Sequence, residues 1–148
     1  NCVTDLRAVA RGLARLVRQD GAVALVMFGT LSAGDIIVEL GRMRPKSAFR
    51  RLTREAAPAR LGGRTFSVVY HRPRDIARAM HPWFRMVRRR GIGVFVPPSA
   101  AEPWISRHPY LLGMLEWLDA RAADTLAVFG DHVLYQFERT AIQAPAKA

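Results

Sequence analysis

The sequence predicts an α/β fold built from helix–strand units, and three observations carry that prediction. From Thr4 to Gly21, the residues Leu6, Val9, Ala10, Leu13 and Leu16 or Val17 recur three and four apart. That spacing makes one apolar helix face, with Arg7, Arg11, Arg15 and Arg18 on the other. Ala22 to Phe28 then runs without a single polar residue. A half-buried strand would alternate; a strand apolar on both sides calls for cover on both, the habit of a parallel sheet wrapped by helices. Finally, the chain has 148 residues, half of them apolar, which suffices for one core.

Each element has local reasons. The Thr4 hydroxyl is placed to cap the first helix, and Gly21 to end it in a left-handed conformation. Ser32 or Thr30 caps a second helix whose apolar side is Ile36, Ile37 and Leu40. Pro45 opens a short helix with Ala48, Phe49 and Leu52 inward and Arg50, Arg51 and Arg54 outward, either as a solvated face or as a basic lid over a charged ligand. Ala56 to Gly63 reads as irregular, with a turn at Gly62-Gly63. Arg64 to His71 alternates as a strand, with Phe66, Val68 and Tyr70 on one face. Asp75 starts a short helix that Pro82 closes.

Trp83 to Val96 reads as a strand rather than a helix tail, because Gly91 and Gly93 penalise a helix interior. Ser99 and Glu102 have the spacing of a capping box. After His108-Pro109 a longer helix runs to about Ala127, with Leu111, Leu115, Leu118 and Ala122 inward. His132 to Arg139 is the last strand, with Val133, Tyr135 and Phe137 on one side. Residues 141–148 read as a frayed tail beyond a single unit spanning 1–140.

The formal net charge is +11, with 21 arginines and 2 lysines. Such a balance permits contact with nucleic acid or an acidic membrane without requiring either. Arg88-Arg89-Arg90 is the densest charge run, but it lacks interleaved stacking aromatics beyond Trp83 and Phe84, which argues against nucleic acid. No apolar run approaches the length of a membrane span, so no membrane partner is expected. The single cysteine, Cys2, excludes an internal disulfide and any multi-cysteine metal site, and a reducing cytoplasm is the simplest setting.

Motifs of known chemistry are absent. There is no glycine-rich phosphate loop with lysine, no G-x-G-x-x-G and no G-x-S-x-G. None of His71, His81, His108 and His132 has a partner at metal-ligand spacing, so no metal is expected. Cys2 and His71 could form a thiol–imidazole pair, or Cys2 could be a small buried filler. Asp131-His132 reads as a turn and cap, with a ligand role as the alternative, because neighbours on a strand point to opposite faces and do not make a simple side-by-side dyad. Tyr70 and His71 end a strand beside a loop, a suitable place for a substrate contact. Pro97, Pro98 and Trp104 form a stiff wall, for packing or for a small-molecule pocket. No catalytic constellation follows from spacing alone.

Several stretches together resemble class I S-adenosylmethionine-dependent methyltransferases. These are Asn1-Cys2-Val3-Thr4-Asp5-Leu6-Arg7 before the first helix, Gln19-Asp20-Gly21 before an apolar strand, and Tyr70-His71 after a strand. The runs Gly91-Ile92-Gly93-Val94-Phe95-Val96-Pro97-Pro98-Ser99 and Glu102-Pro103-Trp104 add to them, as does Gly130-Asp131-His132 before a strand ending in Glu138-Arg139. The resemblance covers about residues 1 to 140, and of the family's Pro-Gly-Gly-like turn only Gly21 matches. It implies the C-terminal half of a Rossmann-like domain, a mixed sheet with an antiparallel last strand, lacking the N-terminal half with the cofactor loop. It further implies S-adenosylmethionine as cofactor of the complete protein and a small-molecule methyl acceptor. By family position Asn1 and Cys2 lie near the cofactor, while Phe28, Gly29, Tyr70, His71 and Trp104 line the acceptor side. The alternatives are a non-enzymatic α/β binding module or a basic nucleic-acid-binding protein.

Overall fold

The computed structural model describes residues 1–53, 55–61, 63–98 and 101–141. Arg54, Gly62, Ser99 and the tail from residue 142 lie outside the described residues. So do the expectations that rest on them, the Ser99 capping box included.

The chain opens with α1 (Leu6–Leu16), and its cap is Asp5 rather than Thr4. The Asp5 carboxylate accepts a hydrogen bond from the Ala8 amide at 2.9 Å. The helix ends at Val17, and the left-handed residue in the following turn is Asp20, at φ 58°, not Gly21. β1 (Ala22–Phe28) follows, then α2 (Ala33–Gly41), capped by the Ser32 hydroxyl as expected. α3 (Pro45–Ala48) runs into a single 3-10 turn at Arg50–Leu52. The stretch expected to be irregular forms β2 (Ala57–Leu61), which pairs with β3 (Arg64–Val68) as a hairpin. Gly63, at φ 76°, supplies its turn. α4 (Pro73–Met80), β4 (Phe84–Ile92), α5 (Glu102–Ile105), α6 (Pro109–Ala122), a 3-10 turn at Ala127–Phe129 and β5 (His132–Arg139) complete the order.

β5 is the middle strand of a three-stranded sheet, with β1 on one side and β4 on the other, and β2–β3 form a sheet of their own. Every neighbouring pair is antiparallel. This overturns the Rossmann-like half-domain expected from the resemblance to S-adenosylmethionine-dependent methyltransferases. That architecture gathers the carboxyl ends of neighbouring parallel strands at one edge, where the ligand crevice opens. In these sheets the ends of neighbours alternate. The fold is α/β with a small antiparallel sheet flanked by helices. The apolar run of β1 therefore does not mark a doubly covered parallel strand. Ala22, Ala24 and Val26 are open to solvent, Val26 at 57 % exposure.

The core lies on the other face of that sheet. Val23 and Met27 of β1, Val133, Tyr135 and Phe137 of β5 and Phe84 of β4 pack against Ala10 of α1, Ile76 and Met80 of α4, and Ala127. The alternation of β5 was legible in the sequence, and it holds because its inward residues fall at period two. Burying each large side chain here stabilises the fold by about 1.5–3 kcal/mol.

The two helices after β1 invert expectation. In α2, Ile37 is 70 % exposed and Leu40 is also exposed, while Asp35 and Glu39 are buried. Phe49 and Leu52 face solvent, and Arg51, expected outward, is buried. In α6 the inward residues Leu111, Leu115, Leu118 and Ala122 are only half-buried.

Candidate anion-binding cleft

The reason for that inversion is an ion-pair network at the carboxyl end of β1. Arg51 is 9 % exposed and sits at its centre. Its Nε donates to Asp35 Oδ2 at 3.1 Å, and its Nη2 donates to Asp131 Oδ1 at 2.6 Å. Its Nη1 donates to the carbonyls of Asp131 at 3.0 Å and Gly29 at 3.3 Å. Arg50 holds the same Asp35 oxygen at 2.7 Å, and the Ser32 hydroxyl donates to Asp131 Oδ1 at 3.2 Å. A buried guanidinium is tolerated only when such partners replace its water, so α2 turns Asp35 inward and Ile37 out, while Glu39 is bound by Arg42 at 3.1 Å.

Asp131 precedes β5 and is free of the strand's alternation. Its second oxygen lies 2.9 Å from His132 Nδ1, so the acid–histidine pair that strand geometry seemed to forbid does form. The His132 ring also packs on Phe28, with centroids 4.7 Å apart. Gly29 and Gly130 make this crossing possible. A Cβ on Gly29 would meet the Gly130 carbonyl at 2.0 Å.

Next to this network opens a cleft of about 400 Å³, lined by Thr30, Leu31, Arg51, Leu52, Thr53, Tyr70, Arg72, Pro73, Arg74 and Arg89. Arg51 serves as its floor, with its guanidinium carbon 5.8 Å from the ring centroids of both Phe28 and Tyr70. Arg72 and Arg74 flank Pro73 at the start of α4, whose amino end carries no side-chain cap. Arg89 reaches in from β4, half-buried and opposite Tyr135. Among the described residues, Arg72, Arg74 and Arg89 have no carboxylate within ion-pair distance, whereas Arg42, Arg50, Arg51, Arg85 and Arg88 each have at least one.

Strand alternation divides the arginine run between the two faces of the sheet, and the irregularity between Met86 and Arg88 sets which member takes which face. Arg88 and Arg90 face outward, opposite Gln136 and Leu134. There Arg88 binds Asp124 at 2.6 Å, and Arg90 donates to the Ala120 carbonyl at 3.2 Å. The hydrogen bond from Arg88 holds the Asp124 carboxyl below its usual range, and the same bond raises Arg88. Arg89 alone turns inward. Burial pushes the neighbouring Tyr135 hydroxyl up to about 12, and the Arg89 charge opposes that rise.

The residues singled out from the sequence do not gather in one place. Tyr70 lines the cleft, and it lines a second one of about 440 Å³ that also contains His71 and Arg72. Phe28 and Gly29 stand behind the cleft floor, through ring contact and a carbonyl bond to Arg51. Asn1 splices two segments: its Oδ1 accepts from the Phe28 amide at 2.7 Å and its Nδ2 donates to the Val69 carbonyl at 2.8 Å. His71 Nε2 lies 2.8 Å from the Val3 carbonyl, and Cys2 is exposed and free. Trp104 lines neither cleft; it packs on His108 at 5.2 Å. The sequence reading weighed Arg51 as part of a solvated face or a basic lid and Arg89 within a charge run, and it did not single out Arg72 or Arg74 as site residues. Only the flanking of Pro73 by two arginines hinted at them.

No known protein family and no curated protein matches the chain. With the antiparallel sheet, this removes the support for methyltransferase activity, for S-adenosylmethionine as cofactor, and for a methyl acceptor or a missing N-terminal half as partners. Among the described residues there is also no cluster of histidine, cysteine, aspartate or glutamate able to hold a metal ion. Nor is any helix among them long and apolar enough to cross a membrane.

Proposed function

We propose that this chain is a binding module for a small polyanion of the phosphate or polycarboxylate class, taken into the cleft beside Arg51. One observation carries the reading: Arg72, Arg74 and Arg89 converge on a single cleft without a carboxylate among the described residues to neutralise them. Like charges that share one cleft repel unless an anion completes the set, and Arg89 is half-buried there while Arg72 and Arg74 are exposed. The hydroxyls of Thr30, Thr53 and Tyr70 offer further donors, and the cleft volume suits a small ligand. Tyr70 is retained as a ligand contact, with Phe28 and Gly29 acting through the floor. A reducing, cytoplasmic setting belongs to the same proposal, supported by the lone thiol of Cys2. Nucleic-acid binding is disfavoured, because Arg85, Arg88 and Arg90 spend their guanidinium groups on Glu138, Asp124 and Ala120.

Titration calorimetry with inorganic phosphate, pyrophosphate and citrate tests the reading. Saturable binding of at least one anion is expected, weakened about tenfold by Arg89→Gln, which is what losing roughly 1.4 kcal/mol of a charge-assisted bond does. Absence of binding, or binding indifferent to Arg72→Gln, Arg74→Gln and Arg89→Gln alike, refutes it.

A further inference from the structure

The open edge of β1 points to a second function, as an interface. Gly29 donates to the Asp131 carbonyl and Arg139 donates to the Gly21 carbonyl, so the odd-numbered residues of β1 turn their backbone toward β5. The even-numbered residues turn theirs away. At one end Asn1 Oδ1 takes up the Phe28 amide. Ala22, Ala24 and Val26 are left with three amides and three carbonyls facing outward, and β1 has no second neighbouring strand among the described residues. Edge strands normally carry a charge, a proline or a bulge that discourages pairing; Ala22–Phe28 carries none.

We propose that a second copy of this chain pairs with this edge, antiparallel and centred on Ala24. That register sets Ala24 against Ala24 of the partner copy, and Ala22 against its Val26. It uses all three open residues on each copy and leaves the Asn1–Phe28 bond intact. Shifting the centre toward Phe28 would break that bond, and shifting it away would run Val26 past the end of the strand at Asp20. The pairing joins two three-stranded sheets into one of six strands. In a chain of net charge +11, it is notable that no charged side chain meets its counterpart across this seam. On the core-side face, half-buried Leu25 comes opposite Val23 of the other copy.

Analytical ultracentrifugation of the chain, with amide exchange read over 22–28, tests the proposal. The expected result is a concentration-dependent dimer in which the amides of Ala22, Ala24 and Val26 exchange more slowly than in the dilute monomer. Ala24→Lys, at an exposed position, puts two ammonium groups face to face and is expected to return a monomer with an unchanged circular dichroism spectrum. A chain that stays monomeric overturns the proposal. So does a dimer that persists in Ala24→Lys, or one that leaves these amides unprotected. Should Ala24→Lys not fold, the exchange pattern of the unaltered chain decides alone.

Discussion

Replacing Arg51 with methionine tests whether the buried ion-pair network holds the fold together. Methionine keeps most of the aliphatic bulk, so no large cavity opens and the effect is electrostatic. Four hydrogen bonds are lost, two of them to carboxylates at 3.1 and 2.6 Å. Each bond between charged groups is worth about 1.5–3 kcal/mol, so the two alone suggest about 3–6. The abandoned acids are not left bare, because Asp35 retains Arg50 and Asp131 retains His132 and Ser32. The lower end applies, about 3 kcal/mol, within the range for breaking one side of a buried pair. Against a total stability of roughly 5–15 kcal/mol that is a large loss, visible as a lower midpoint in urea unfolding. Arg50→Met is the control. Its side chain is 42 % exposed and it shares Asp35 with Arg51, so it should cost at most about 1 kcal/mol. If Arg51→Met also costs less than about 1 kcal/mol, Arg51 behaves as a solvated surface charge. The account of why α2 buries Asp35 would then be wrong.

Further outcomes follow from three single positions. Tyr135 is held protonated by burial up to about pH 12, so between its ordinary value near 10 and that point the unfolded chain ionises and the folded one does not. Its contribution to stability is therefore complete below about pH 10 and falls as pH rises through that window. Ultraviolet titration should show the Tyr135 phenol ionising late, and Arg89→Gln should make it later still, since the Arg89 charge favours the phenolate. Gly29→Ala should destabilise by more than about 2 kcal/mol in thermal melts, because its Cβ overlaps the Gly130 carbonyl. Gly12→Ala, mid-helix with nothing within 4 Å, should stabilise by up to about 1 kcal/mol.

What could be read from the sequence was local. The alternation of Val133, Tyr135 and Phe137 named their face of β5 correctly, the Leu6 to Val17 periodicity gave α1, and Ser32 capped α2 as its hydroxyl predicted. Such features depend on neighbours within one or two turns. Strand direction does not: an apolar run such as Ala22–Phe28 has the same pattern beside a parallel or an antiparallel partner, and small residues like Ala22 and Ala24 are tolerated in water. The unbroken apolar run and the family likeness both pointed to the wrong direction here.

The site was less legible still. Arg51 and Asp35 lie 16 residues apart, and Arg51 and Asp131 lie 80 apart. No spacing rule links them, and an arginine on a short helix is by default a solvated one. Nor does the run Arg88-Arg89-Arg90 say which member turns inward, since the irregularity after Met86 resets the alternation. The sequence by itself determined where most helices and strands form, β2 excepted, and which residues of β5 share a face. Only the tertiary structure decided how the strands pair, which charges are neutralised internally and which are left facing the cleft, because burial and Coulomb attraction act on distances in space rather than along the chain.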